Sequence, residues 1–275
     1  MSFIYAKKEY LKECKLNSVQ ILSDTKIDTM SLNNSKTSKT YKMINTYGII
    51  KSLIICPSCC ISFAGNNIDK ATKLIDSLIE NKEFSIDNLM EEALKIHKTS
   101  ENINDIEFII CYSDEKNEVH INCIKNGEIE KDVYLAWIGT YAALKSLQEE
   151  VSKGLNTFSA FQNVVLGGKI DCVGGLINSV TYNYDQKSFK YQEYALTAVY
   201  REKLYKSNDI IEIVGSKEEG AFQMHMFENM GEVYYEFPQI DRIILFTKMR
   251  YEDDDKKFPH FLLPILLEAS TSKVL

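Results

Sequence analysis

The sequence predicts an α+β fold built from antiparallel sheets, and three observations carry that prediction. Apolar residues switch between alternation and a three-and-four repeat, so the elements run strands, two helices, strands, two helices, strands. Helices grouped between groups of strands favour antiparallel layers over a parallel sheet, which would need one helix after each strand. Asp114-Glu115-Lys116-Asn117 and Lys125-Asn126-Gly127 supply turn residues between β-rich runs. Helix layers on both sides of stacked sheets would satisfy this order.

The elements follow in turn. Residues 2–6 and 18–23 are rich in β-formers and flank the charged stretch Lys7 to Lys15, which reads as a hairpin with an extended turn. Residues 29–40 are dense in Ser, Thr, Asn and Lys and read as a surface loop. A second β pair spans Tyr41 to Asn45 and Ser52 to Ala64, with a kink at Pro57. Ile68, Ala71, Leu74, Ile75, Leu78 and Ile79 then repeat at helical spacing. Ser85-Ile86-Asp87-Asn88 reads as a cap before a second helix over Leu89, Ala93, Leu94 and Ile96. Strands return at Ile106 to Ser113, Glu118 to Lys125 and Val133 to Ile138. Gly139 opens a third helix, Tyr141 to Lys153, with Gly154 past its end, and Thr157 to Val165 reads as a fourth. A glycine-containing loop, Gly167 to Gly175, leads to strands at Leu176 to Tyr184 and Phe189 to Tyr194. Short β segments follow at Ile210 to Val214, Ala221 to Phe227, Glu232 to Phe237 and Arg242 to Thr247, and Glu252-Asp253-Asp254-Asp255 reads as an acidic loop.

The 275 residues suffice for a full core, as one large domain or two small ones. A net charge of −7 argues against a nucleic-acid-binding surface. The start, Met1-Ser2-Phe3-Ile4-Tyr5-Ala6-Lys7-Lys8, lacks the basic region and long apolar run of a signal peptide. No apolar stretch approaches the roughly 20 residues of a membrane span. Seven cysteines, an odd number without an export signal, fit a reducing cytoplasm.

Several short motifs fall in a telling order: Ile21-Leu22-Ser23-Asp24-Thr25-Lys26, Lys42-Met43-Ile44, Ala64-Gly65 before a helix, Trp137-Ile138-Gly139-Thr140-Tyr141-Ala142, and Val173-Gly174-Gly175-Leu176. Together, over residues 2–195, they resemble proteasome β-type subunits and related N-terminal-nucleophile (Ntn) hydrolases. The resemblance implies a four-layer αββα sandwich of antiparallel sheets over residues 1–205. Residues 206–275 would form a β-rich extension packed on that core.

It also implies a chemistry. In such enzymes the first residue of the mature chain is the nucleophile and its own α-amine the base. That amine has a pKa near ~8 and is partly neutral at physiological pH. A nearby lysine lowers it by like-charge repulsion, and an aspartate holds the lysine. By resemblance, Ser2 becomes the nucleophile once Met1 is removed, and Asp24 and Lys42 form the ion pair. Gly65 supplies the oxyanion N–H, and Thr140 replaces a supporting serine. The expected substrate is a peptide or other amide, the expected state a homo-oligomer, and no cofactor or metal is called for. A proteasome-like subunit that has lost activity and serves as a scaffold is the alternative. Two departures favour it: Val173 stands where the family has serine, and Asp171 falls one place from the expected aspartate.

Cys56-Pro57-Ser58-Cys59-Cys60 contains one CxxC, half of a zinc site with no second pair elsewhere. Packing of small apolar thiols is its simplest reading, and as a redox pair it lacks the usual helix start. Gly215-Ser216-Lys217-Glu218-Glu219-Gly220 lacks the ending of a phosphate loop, and its carboxylates would repel phosphate.

Overall fold

The computed structural model describes residues 2–11, 16–34, 39–46, 49–67, 85–99 and 105–192, helical positions 70, 71, 74 and 77, and strand segments between 194 and 270. Side chains are described within 2–9, 18–27 and 49–192. The strands in the first half are β1 (Phe3–Leu11), β2 (Leu16–Asp24), β3 (Ile27–Asn34), β4 (Lys39–Thr46), β5 (Ser52–Cys56) and β6 (Cys59–Gly65). After them come helix α1 (Ile86–Lys98), β7 (Ile106–Ser113), β8 (Val119–Lys125), β9 (Glu128–Glu130) and β10 (Leu135–Gly139). Helices α2 (Tyr141–Ser152) and α3 (Thr157–Leu166) precede β11 (Ile177–Asn183) and β12 (Ser188–Tyr191).

Ten of these strands make two five-stranded antiparallel sheets, ordered β10-β1-β2-β11-β12 and β5-β6-β7-β8-β9. The predicted opening hairpin is present, with Ile4 opposite Ser23 and Leu11 opposite Leu16. The strands run further than expected because residues 7–11, with Lys7, Lys8 and Glu9 among them, keep pairing with residues 16–20.

Alternation along β1 sorts its side chains between two cores. Ile4 and Ala6 join Val19 and Ile21 in a core shared with β5 to β8, including Ile61, Phe63, Ile109 and Ile121. Phe3 and Tyr5 face the other way with Leu22, against Leu144 and Leu147 of α2 and Phe161 and Val164 of α3. The Phe3 and Phe161 rings stack with centroids 5.1 Å apart. Full burial of such a side chain contributes about 1.5–3 kcal/mol. On the second sheet, α1 packs over β7, β8 and β9 through Leu89, Met90 and Ala93. Ala71 and Leu74 of the helical positions before it are buried too. That explains why β6 is buried at every position from Cys59 to Ala64: both its faces are covered.

Ser85 caps α1, its hydroxyl accepting from the Asn88 N–H at 3.1 Å. Asn156 caps α3 in the same way through Ser159 N–H. The expected loop at 29–40 is instead occupied at 27–34 and 39–46 by strands β3 and β4. Met30 and Leu32 alternate with Thr29, Ser31 and Asn33 there, a strand period hidden by polar composition. Strands β13 (Tyr194–Ser207), β14 (Ile210–Phe227), β15 (Met230–Phe237), β16 (Arg242–Arg250), β17 (His260–Leu262) and β18 (Ala269–Ser270) join β3 and β4 in an eight-stranded sheet. Residues 205 and 206, the expected boundary, both lie within β13. The Gly215 to Gly220 segment is part of β14, and the acidic run 252–255 lies outside the described residues.

Candidate functional site

The site begins with a charge pair inside the protein. Asp24 ends β2 and Lys51 immediately precedes β5, and both residues are 0% exposed. Lys51 Nζ lies 2.8 Å from Asp24 Oδ1 and donates a second bond to the Lys26 carbonyl at 2.6 Å. Asp24 Oδ1 also accepts from the Phe3 N–H at 3.0 Å, and Oδ2 accepts from the Gly174 N–H at 3.2 Å. A buried carboxylate is tolerated only when its oxygens are engaged in this way. The Gly174 carbonyl in turn accepts from the Thr25 and Lys26 N–H groups, and Thr25 Oγ1 accepts from the Leu176 N–H. The turn after Val173 is thereby sewn to residues 24–26.

Residue 2 sits beside this pair. The Ser2 carbonyl accepts from the Thr140 N–H at 2.9 Å. Ser2 is 5% exposed. Gly139, opposite Phe3 in the β1–β10 ladder, has φ +96°, and a β-carbon there would lie 1.9 Å from the Ser2 carbonyl oxygen. Only glycine permits both the conformation and the approach. Thr140 is the N-cap residue of α2, yet its hydroxyl bonds no helix N–H.

A cleft of about 320 Å³ opens at this end of the stacked sheets, lined by Gly65, Glu107, Lys125, Trp137, Gly139, Thr140 and Tyr141 among others. Gly65 ends β6 with φ +155°, and a β-carbon there would meet the Asp105 carbonyl oxygen at 2.1 Å. Glu107 bridges the two sheets: it stands on β7 and accepts from the Gly139 N–H at 2.8 Å. Burial raises its carboxyl pKa, against the bond from Gly139 and the positive charge of Lys125. Lys125 Nζ lies 5.1 Å from the centre of the Trp137 ring, a cation–π distance.

Of the expected site residues, Ser2, Asp24 and Thr140 are joined through hydrogen bonds at residues 2 and 3, and Gly65 lines the same cleft as Thr140. Asp24 pairs with a lysine other than the expected one: Lys51 holds it, while Lys42 is in β4, opposite Ser31 and Glu212 in the eight-stranded sheet, with its side chain outside those described. The signal for Lys51 was a single charge inside Ile49-Ile50-Lys51-Ser52-Leu53-Ile54-Ile55, where a lysine must be buried with a partner. Val173 is buried with Phe3 and brings no hydroxyl, and the Asp171 carbonyl oxygen accepts from Lys26 Nζ.

The CxxC forms the β5–β6 turn, with Cys56 and Cys59 as cross-strand partners. His97 is a satisfied core residue: Nδ1 donates to the Ile106 carbonyl at 2.6 Å while Nε2 accepts from the Gly127 N–H at 2.8 Å. Among the described residues, Asp114, Glu118 and His120 are the one group placed to share a cation, and Asp114 Oδ1 already accepts from the Lys116 and Glu118 N–H groups. Among those residues, too, no helix is long and apolar enough to cross a membrane. No protein-family model matches this chain, and no curated protein matches it in sequence.

Proposed function

We propose that the chain is a proteasome-like Ntn hydrolase that cleaves amide bonds, with Ser2 as its nucleophile after Met1 is removed. On this reading the two sheets and their outer helices form the αββα sandwich of that family. The observation that supports it most is the Lys51–Asp24 pair, fully buried and one hydrogen bond from the backbone of residue 3. A buried ion pair is a costly way to stabilise a fold, so its position beside residue 2 points to chemistry there.

The steps follow from the groups in place. The neutral α-amine of Ser2 takes the hydroxyl proton as Oγ attacks the amide carbon. The Gly65 N–H steadies the resulting oxyanion. The amine then passes the proton to the leaving nitrogen, the C–N bond breaks, and an ester to Ser2 remains. Water activated by the same amine hydrolyses it. Lys51 favours the neutral amine by its charge, and Asp24 fixes Lys51. Thr140 orients residue 2 through its N–H. A peptide or amide substrate would enter by the cleft, and the working unit is a homo-oligomer in the cytoplasm.

One observation favours the inactive-scaffold reading. Val173 packs into the apolar cluster at the turn where the family carries a serine beside the amine. Hydrolysis of a panel of fluorogenic peptides separates the two. The enzyme reading predicts turnover that falls about 10²–10⁴-fold in both Ser2→Ala and Lys51→Met, and that survives in Lys42→Met. No turnover across the panel from a chain with Ser2 as its first residue favours the scaffold, and turnover indifferent to Ser2→Ala overturns Ser2 as the nucleophile.

A further inference from the structure

We propose that Cys56 and Cys59 form a reversible disulfide across the Pro57-Ser58 turn, with Cys56 the entry thiol and small disulfides of the glutathione type as its oxidants. The two residues are Cα partners in the β5–β6 hairpin, separated by a two-residue turn. The ends of such a turn lie within ~7 Å, and a disulfide spans Cα separations of about 4.4–6.8 Å. The bond therefore closes without moving the strands. The turn is also held from outside: the Pro57 carbonyl accepts from the Phe189 N–H at 2.7 Å, and the Ser58 carbonyl from the Ser113 N–H at 2.9 Å.

The two thiols differ in the way such a pair requires. Cys56 is half-buried and Cys59 is fully buried. The Cys56 sulfur is hydrogen-bonded to the Cys59 thiol and lies 3.4 Å from Ser58 Oγ. Those bonds, led by the one from Cys59, bring the Cys56 pKa down to about 7 despite burial. Burial pushes Cys59 well up. A reagent thus meets a thiolate at Cys56 and does not reach Cys59, whereas Cys56 touches it. Cys60 points to the opposite face of β6, opposite Cys111 across the ladder, and both are fully buried.

The exchange balances. The Cys56 thiolate attacks one sulfur of the small disulfide, forming a mixed disulfide and expelling one thiolate, which takes a proton from solvent. The Cys59 sulfur then attacks Cys56 Sγ, and its proton goes to the second departing thiolate. Two protein thiols are oxidised, and one small disulfide is reduced to two thiols.

The test uses the full chain carrying Cys14→Ser and Cys172→Ser, which removes the half-buried Cys172 and the cysteine outside the described residues. Incubation with oxidised glutathione should lower the intact mass by two hydrogen atoms and join the Cys56 and Cys59 peptides, and reductant should reverse both. Adding Cys59→Ala should instead leave one stable glutathione on Cys56. A lasting glutathione adduct on Cys56 while Cys59 is present, a bond between other cysteines, or no reaction at Cys56 would each overturn the proposal.

Discussion

Replacing Lys51 with methionine removes an ammonium and keeps most of its stem. What remains is Asp24, 0% exposed, holding a negative charge with two backbone N–H groups and no cation at 2.8 Å. At an effective dielectric near ~20, the lost attraction is about 6 kcal/mol, before subtracting what Lys51 itself lost on burial. Breaking a buried pair from one side costs about 3–5 kcal/mol. That is a large share of the ~5–15 kcal/mol that holds a typical domain together, so the variant should fold but unfold at much lower urea. Asp24→Asn in the same background removes the orphaned charge while keeping a carbonyl for Phe3 or Gly174. The double variant should therefore be less damaged than the two single effects added. Urea unfolding of the four proteins measures the coupling directly. A Lys51→Met cost below about 1 kcal/mol, or simple additivity, would show that the pair does not hold this corner of the fold.

Two glycines with similar backbones should respond differently to alanine. Gly139→Ala places a β-carbon 1.9 Å from the Ser2 carbonyl and should shift residue 2, lowering stability by more than the backbone strain alone; Gly154→Ala, at φ +92° with open space around it, should lose only about 1–2 kcal/mol in the same unfolding assay. Glu107 gives a pH dependence. Its folded pKa is raised, so the folded state holds the proton more tightly than the unfolded chain. Its contribution is present below the ordinary glutamate pKa of about 4.3 and is lost as pH rises through the folded value. Glu107→Gln, which keeps an acceptor for Gly139, should gain melting temperature over the parent at pH 7 and lose that gain at pH 4. A gain that is equal at both pH values contradicts the burial argument.

The order of elements was legible because periodicity and caps are local. Ser85 and Asn156 cap helices, and Asp114 to Asn117 and Lys125 to Gly127 turn strands, all as their residue types require. Of the β3–β4 pair, the strand at Tyr41 to Asn45 was legible, whereas β3 was not, because its polar residues outweigh the alternation of Met30 and Leu32; β4 pairs with β3 and with the sequence-distant β14 rather than with the strand that follows it. The site divides in the same way. Asp24, Gly65 and Thr140 are marked by local motifs at element ends. The lysine is not: Lys42 and Lys51 both stand beside apolar β residues, and only the tertiary fold brings Lys51 to Asp24. The intervening hairpin lengthens the distance in sequence and draws the eye to the wrong strand.

Everything proposed for activity depends on the first residue of the mature chain. Intact mass spectrometry of the protein after treatment with a β-lactone or peptide-epoxyketone probe tests it in one experiment. The account predicts a chain lacking Met1 that carries one probe on its Ser2-containing N-terminal peptide, and no label after Ser2→Ala. A retained Met1 on the protein that hydrolyses peptides, or a probe attached at any other residue, would contradict it.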